Sequence, residues 1–276
     1  MIAQPSAERY MRQHSLLTLL SDFGLSDVYV AVMKGAIAQI NCSLTVVDLT
    51  HQIPAQNIAA ARFCLMNAYP YFPDGTVHVA VVDPGVGSTR RAIAVEFARS
   101  FLVGPDNGLF SGVLSHSPAI AAVELTNPHY WRNPYPAATF HGRDIFAPVG
   151  AHLASGVPLA QLGQFIDPAT LVQLAIPECI TDTGVAGCIQ YVDRFGNLVT
   201  NIPGAYVQGK TWSVVVAGLI VPGCQTYSDS PVGSAIALIG SHGYIEIAVN
   251  SGNAQSQLQL DLGDRIEVLV NKESRG

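Results

Sequence analysis

Residues 76–90 read Thr-Val-His-Val-Ala-Val-Val-Asp-Pro-Gly-Val-Gly-Ser-Thr-Arg. The first seven form a largely apolar run rich in β-branched residues, the pattern of a buried strand. The run stops on Asp83, a Gly/Pro turn follows at once, and Arg90 comes seven residues after the aspartate. Ligands of open parallel sheets sit beyond the carboxyl ends of the strands. A strand that stops on a charged residue at a Gly-rich loop therefore predicts an α/β protein with a site at that end. Asp22, just after the apolar run 16–20, repeats the arrangement.

Outward from this stretch, residues 16 to 175 alternate short apolar runs with helical patterns. Strands are predicted at 16–20, 44–49, 76–82, 91–97, 101–103 and 122–125. Helices are predicted at 28–40, 57–69, 108–115 and 145–155, with Asp27 as N-cap of the first. Such alternation implies a largely parallel sheet with helices on its faces. After residue 185 the texture changes. The β-branched runs 185–192, 212–216, 235–239, 244–249 and 266–270 are separated by Gly, Asn and Ser turns. They predict a small all-β barrel or sandwich. The expected fold is an N-terminal α/β domain, residues 16–175, and a C-terminal all-β barrel domain, residues 180–272. The boundary is expected within 168–183, around Pro177-Glu178.

Composition bounds the function. Charged residues are 12% of the 276 and hydrophobic residues 49%, enough for a substantial core and against a long disordered tail. The formal net charge of −6 and the lack of any Lys/Arg run make nucleic acid an unexpected partner. No apolar run reaches membrane-spanning length, so no membrane partner is expected. Cysteines at 42, 64, 179, 188 and 224 are odd in number and form no CxxC. That usage predicts a reducing cytoplasm with thiols as small core residues. The leader 1–15 is polar and mixed, and reads as a frayed terminus or an appended remnant.

Five segments could carry chemistry, and each also has a plain structural reading. Asp22, in Ser21-Asp22-Phe23-Gly24, offers two acceptor oxygens to the two hydroxyls of a ribose diol. Asp22 and Asp27 equally suit turns and caps. Asp83 and Arg90 can serve catalysis or close their loop as a salt bridge. The turn between them lacks the Gly-Lys-Ser/Thr ending of a phosphate loop. In Phe140-His141-Gly142-Arg143-Asp144, His141 can be a site residue or simply head a helix, and no HxH or HxxxH spacing supports a metal centre. In Asp193-Arg194-Phe195-Gly196-Asn197, the Asn197 amide can read an adenine edge or sit in an ordinary β-turn. Segments 240–244 and 250–254, which hold Ser241, His242 and Ser251, read alone as hairpin turns.

The order and spacing of these segments carry more than any one of them. Together with Gly104-Pro105-Asp106-Asn107-Gly108 and Leu198-Val199-Thr200-Asn201, they resemble the S-adenosyl-L-methionine (SAM) hydrolase family, the SAM hydroxide adenosyltransferases, relatives of fluorinase and chlorinase. The resemblance runs from residue 16 to 270. It implies hydrolysis of SAM to adenosine and L-methionine by a homotrimer, with sites shared between subunits and no metal or organic cofactor. It implies Asp83, Arg90 and His141 as the catalytic set and Asp22 on the ribose. Asp27, Asp193 and Ser241 match groups on the methionine portion. Asn197 and, across a one-residue gap, Tyr227 match groups on the adenine. Phe140 and Ser251 complete the expected substrate contacts.

Departures from the fluorinase pattern favour water over halide. Asp83 stands where that enzyme has tyrosine, Val86 where it has threonine and Gly142 where it has serine. A carboxylate 4 Å from a halide costs roughly 4 kcal/mol at an effective dielectric of 20. That weakens binding by about three powers of ten. His242 replaces an arginine beside Ser241 at the end expected to hold the methionine carboxylate. Halide-dependent adenosyl transfer and non-catalytic SAM or adenosine binding are the competing readings. Which of Asp83, Arg90 and His141 takes the proton stays open.

Overall fold

The computed structural model describes residues 16–174, 176, 179–181 and 184–270. The leader 1–15, Pro177-Glu178 at the expected boundary and residues 271–272 lie outside them. The chain divides into two compact units after Leu174.

Unit 1 holds one mixed sheet. Its strands are β1 (Leu16–Ser21), β2 (Thr45–Thr50), β3 (Thr76–Val81), β4 (Ala92–Glu96), β5 (Ser100–Pro105), β6 (Ala121–Glu124) and β7 (Gln164–Ile166). Their order is β2-β1-β3-β5-β4-β6-β7. The β2-β1-β3-β5 half is parallel. The other half is antiparallel. Three residues join β4 to β5, and a link that short permits only a hairpin. The helices are α1 (Tyr29–Ile40), α2 (Ile58–Ala68), α3 (Ser111–Leu114) and α4 (Ala147–Ala154). Leu17, Leu19, Val77 and Val79 from β1 and β3 pack with Phe146, Val149 and Leu153 at the centre of the core. Gly150 lets α4 sit close to the sheet, because a Cβ there would lie 2.4 Å from Val79 Cγ2.

The topology fixes where a ligand can sit. From β1 the chain crosses to β2 on one side, and from β3 it proceeds towards β4 and β5 on the other. The crevice beyond the ends of β1 and β3 is therefore a switch point, the place where open α/β sheets bind ligands. Asp22 follows β1 directly, and Asp83 lies two residues beyond β3.

Unit 2 is antiparallel. It comprises β8 (Cys179–Ile180), β9 (Gly184–Val192), β10 (Leu198–Pro203), β11 (Trp212–Val216), β12 (Leu219–Pro222), β13 (Ala235–Ile239), β14 (Tyr244–Val249) and β15 (Arg265–Val270), with one short helix, α5 (Ala254–Leu258). The order is β12-β11-β15-β9-β10-β14-β13, and β8 pairs with β9. A bridge between Gly223 and Ala237 brings the two edges together, so the sheet is nearly closed. Its interior is filled by alternating residues such as Val214, Val216, Ile245, Ile247 and Val249.

Several expectations need correction. Asp27 does not cap α1. Val28 is the N-cap, already in helical dihedrals, and no side chain bonds to the helix start. A capping aspartate needs an extended backbone at the cap, and that is missing here. The helix expected at 145–155 is preceded by a π-helical turn, Gly142–Phe146. Strands β7, β8, β10 and β12 are additional to those expected. The 250–254 segment leads into α5, whose N-cap Asn253 accepts from Ser256 N. Cys42 is exposed, and Cys64, Cys188 and Cys224 are half-buried, so these thiols are not core residues. No helix among the described residues is long and apolar enough to cross a membrane.

Candidate active site

Arg90 links Asp83 to His141. Its Nε lies 3.0 Å from both carboxylate oxygens of Asp83, and its Nη2 also bonds to Oδ2. The same Nη2 lies 2.8 Å from His141 Nδ1. The side chains of Asp83 and Arg90 are only 5% and 10% exposed. Their charges therefore interact with little screening by water. The guanidinium also lies over the buried Phe146 ring, 5.2 Å from its centroid, so one face of the cation is apolar.

Local sequence explains how the three meet. Asp83 O accepts from Val86 N and Gly85 O from Ser88 N, so the segment turns back on itself. Gly87 has φ +77°, and a Cβ there would lie 2.5 Å from Ala138 O. Only glycine lets the 83–90 turn approach the segment that carries His141. Asn107 donates from Nδ2 to Val82 O at 2.8 Å, which pins the backbone immediately before Asp83. Asp144 is fully buried and accepts from Ala137 N and Arg143. It closes the 137–144 segment on itself.

A pocket of about 290 Å³ opens at this cluster. Asp22, Phe23, Gln56, Asp83, Phe140 and His141 are among its lining residues. Phe23, Tyr29 and Phe140 form an aromatic group with centroids 5.2–5.8 Å apart. Asp22 Oδ2 accepts from Gln56 N at 2.7 Å. Burial holds the His141 pKa below its ordinary value, and the Arg90 charge adds to this, while Asp83 and Asp144 oppose it. For Asp144, burial raises the carboxyl, but its bonds and charges from Arg143, Ala137 N and Arg132 outweigh that, and its pKa is lowered. Among the described residues no group of three or more His, Cys, Asp or Glu side chains is spaced to hold a metal.

Of the residues expected at a site, unit 1 thus gathers Asp22, Asp83, Phe140 and His141 in one pocket, with Arg90 bonded to two of them. Asp27 is exposed in the bend before α1. The others lie in unit 2. Asp193 Oδ1 accepts from Phe195 N and Asn197 N, and its Oδ2 from Asn197 Nδ2. Its carboxylate is engaged within its own loop, and Asn197 is held with its amide donor committed. Tyr227 Oη donates to Glu246 Oε1 at 2.7 Å. Burial, then that bond and the Glu246 charge, raise the phenol pKa. His242 Nε2 lies 3.1 Å from Glu246 Oε2, and its Nδ1 accepts from Tyr244 N. Ser241 is an exposed turn residue. Ser251 has φ +56° and bonds to Asn250 Oδ1.

Four contributors escaped the reading of the residues: Gln56, Tyr29, Phe146 and Asn107. Asn107 had a signal in its Pro-Asp-Asn-Gly setting. Gln56 had none, since a non-glycine residue at φ +64° cannot be read from local pattern.

The fold and this cluster define a class: an α/β unit with an Asp–Arg–His set at its sheet switch point, followed by a barrel-like β unit. The chain belongs to the SAM hydroxide adenosyltransferase family, whose N-terminal domain pattern matches residues 17–163 and whose C-terminal domain pattern matches residues 187–267. It is 43% identical over 260 residues to the (R)-S-adenosyl-L-methionine hydrolase of Thermus thermophilus, covering 91% of this chain and 98% of that protein. It is 40% identical over 254 residues to the enzyme of the same name from Salinispora arenicola, covering 91% and 97%. The fluorinase of Nocardia brasiliensis is more distant, at 25% identity over 92% of this chain and 97% of that protein. The crystal structure of a conserved protein from Thermotoga maritima superposes with a TM-score of 0.86 at 34% identity, over 91% of this chain and 99% of the other.

Proposed function

We propose that this protein hydrolyses SAM to adenosine and L-methionine. Water attacks the ribose C5′ in line, the C5′–S bond breaks, and its electron pair stays on sulfur. Methionine leaves as a neutral thioether, so no acid is needed to expel it. The nucleophile is the difficult partner, and the observation that carries the reading is the Arg90 bridge between Asp83 and His141.

That bridge divides the roles. Guanidinium has no acceptor, so His141 Nδ1 must accept from Arg90 Nη2. The ring proton of neutral His141 is then on Nε2, where it can donate to the oxygen of a water. His141 orients the nucleophile and is not its base. Asp83 retains lone pairs beyond those that accept from Arg90, and it takes the proton. The attacking oxygen becomes strongly acidic as the C5′–O bond forms, so a carboxylate suffices. Arg90 holds the Asp83 carboxylate and the His141 ring in place around the water, while Asp83 offsets the repulsion between Arg90 and the sulfonium. Positioning by the three groups supplies several kcal/mol more.

Asp22 takes the ribose diol and Phe140 the pocket wall. Asn197 and Tyr227 take adenine. Asp27, Ser241 and Ser251 take the methionine portion, and Asp193 acts by holding Asn197. The enzyme works as a cytoplasmic homotrimer, which brings residues of the two groups together from neighbouring subunits, with no nucleic-acid partner. A halide is disfavoured by the Asp83 carboxylate and by the absence of a hydroxyl at Gly142.

Purified protein incubated with SAM, with EDTA and without added halide, should release adenosine and methionine in equal amounts on chromatography. No adenosine under those conditions, with 5′-halo-adenosine formed once halide is added, would overturn the reading. SAM binding by calorimetry with no product would mark a non-catalytic binder.

A further inference from the structure

Next to the pocket, Ser21, His51, Asp48 and Lys34 form a chain that the mechanism above does not use. Ser21 Oγ lies 2.7 Å from His51 Nδ1, and both residues are buried. Phe23 N donates to Ser21 Oγ at 3.3 Å. The Asp48 carboxylate on the Nε2 side draws the ring proton to Nε2, so Nδ1 accepts from the Ser21 hydroxyl. Nε2 lies 3.1 Å from Asp48 Oδ1, off the line of a hydrogen bond but within ion-pair distance. Lys34 Nζ bonds to the other oxygen of Asp48 at 2.6 Å.

The sequence Ser–His–Asp invites a nucleophilic reading, and two observations exclude it. Ser21 has no exposed surface, and it does not line the pocket. What the chain does hold is the turn that carries Asp22. His51 O accepts from Gly24 N at 2.8 Å, so His51 grips this turn on both sides of Asp22, by side chain at Ser21 and by backbone at Gly24. Five residues on, Gln56 adopts φ +64° and donates its N–H to Asp22 Oδ2. A left-handed non-glycine residue at a site marks a conformation that its surroundings impose. The 51–56 segment thus fixes Asp22 at three points and leaves Oδ1 for a ligand.

We propose that His51 is the positioning residue for the Asp22 carboxylate and so sets the enzyme's recognition of the ribose hydroxyls. The proposal rests on the assignment of Asp22 to the diol. It predicts that loss of His51 weakens ligands in proportion to their ribose hydroxyls and leaves the water-handling cluster to work on bound substrate.

The test compares inhibition of SAM turnover by adenosine and by 2′,3′-dideoxyadenosine, which lacks both hydroxyls, in wild type and in Asp22→Ala, His51→Ala, His51→Asn and the double alanine variant. His51→Ala should raise KM for SAM roughly tenfold, the scale of one bond to a charged group, and lower kcat much less. It should shrink the preference for adenosine over dideoxyadenosine towards the Asp22→Ala value, and add little in the Asp22→Ala background. His51→Asn, whose amide oxygen can replace Nδ1 as acceptor, should recover part of the preference. Thermal melts identify variants that fail to fold, and His51→Asn then carries the comparison. Equal loss of both inhibitors in His51→Ala, or additive effects in the double variant, would overturn the proposal while Asp22 keeps its role. If Asp22→Ala itself leaves the preference at the wild-type value, the diol assignment falls and the proposal falls with it.

Discussion

Arg90 is the residue on which the site turns, because it alone touches both other members of the set. Lysine keeps the charge and loses the fork, so Arg90→Lys cannot hold Asp83 and His141 together. Arg90→Lys, Asp83→Asn and His141→Ala should each lower kcat by about 10² to 10³, with smaller changes in KM, in steady-state assays with SAM. Gly142 bears on halide. A Cβ there would meet Phe140 Cε2 at 3.2 Å, Met33 Sδ at 3.3 Å and Phe23 Cε2 at 3.4 Å. Gly142→Ser should therefore cost about 1–3 kcal/mol of stability by overpacking, read as a lower Tm, and should not confer halide transfer. Asp83 and Arg90 were legible as a pair because seven residues and a Gly/Pro turn bring them together. His141 lies far along the chain, and only the order of all the motifs pointed to it.

At the scale of elements, the proposed catalytic set is assembled by the close approach of two loops. The 83–90 turn and the 137–144 segment meet where Gly87 faces Ala138 O. Gly87→Ala adds a clash there and a left-handed backbone cost of roughly 1–2 kcal/mol. It should move Arg90 off His141 and lower kcat by about 10² if the shift reaches 1 Å. Kinetics and a melt on the same sample check this. The central parallel strands were readable because strands buried on both faces are continuous apolar runs. Strand β10 was hidden: its Thr200 and Asn201 look like turn material, yet Thr200 is fully buried and Asn201 nearly so. Asn201 is satisfied there, donating to Ile176 O and accepting from Cys188 N. Such bonds depend on partners far along the chain, which local pattern does not reveal. The Tyr227–Glu246 bond was missed for the same reason.

At the scale of the whole molecule, unit 1 carries a buried histidine that makes stability depend on pH. His78 is 1% exposed on β3, bonds to Thr18 Oγ1 at 2.8 Å, and burial lowers its pKa to about 4 from 6.5. Between those values the unfolded chain takes up a proton that the native state refuses. Stability therefore falls as pH drops from 6.5 to 4, by about 3 kcal/mol at 1.36 kcal/mol per unit, and this contribution flattens below 4. Urea unfolding from pH 7.5 to 4.5 measures the slope. Replacing the pair as a unit, with Thr18→Val and His78→Leu together, should remove this part of it.

The central claim is that water, set by Asp83, Arg90 and His141, attacks C5′ of SAM. Turnover in oxygen-18-enriched water tests it most directly, with mass spectrometry of both products. The account predicts one heavy oxygen in each adenosine, at its 5′-hydroxyl, and none in methionine. Adenosine without the label, or release of methylthioadenosine in its place, would contradict it.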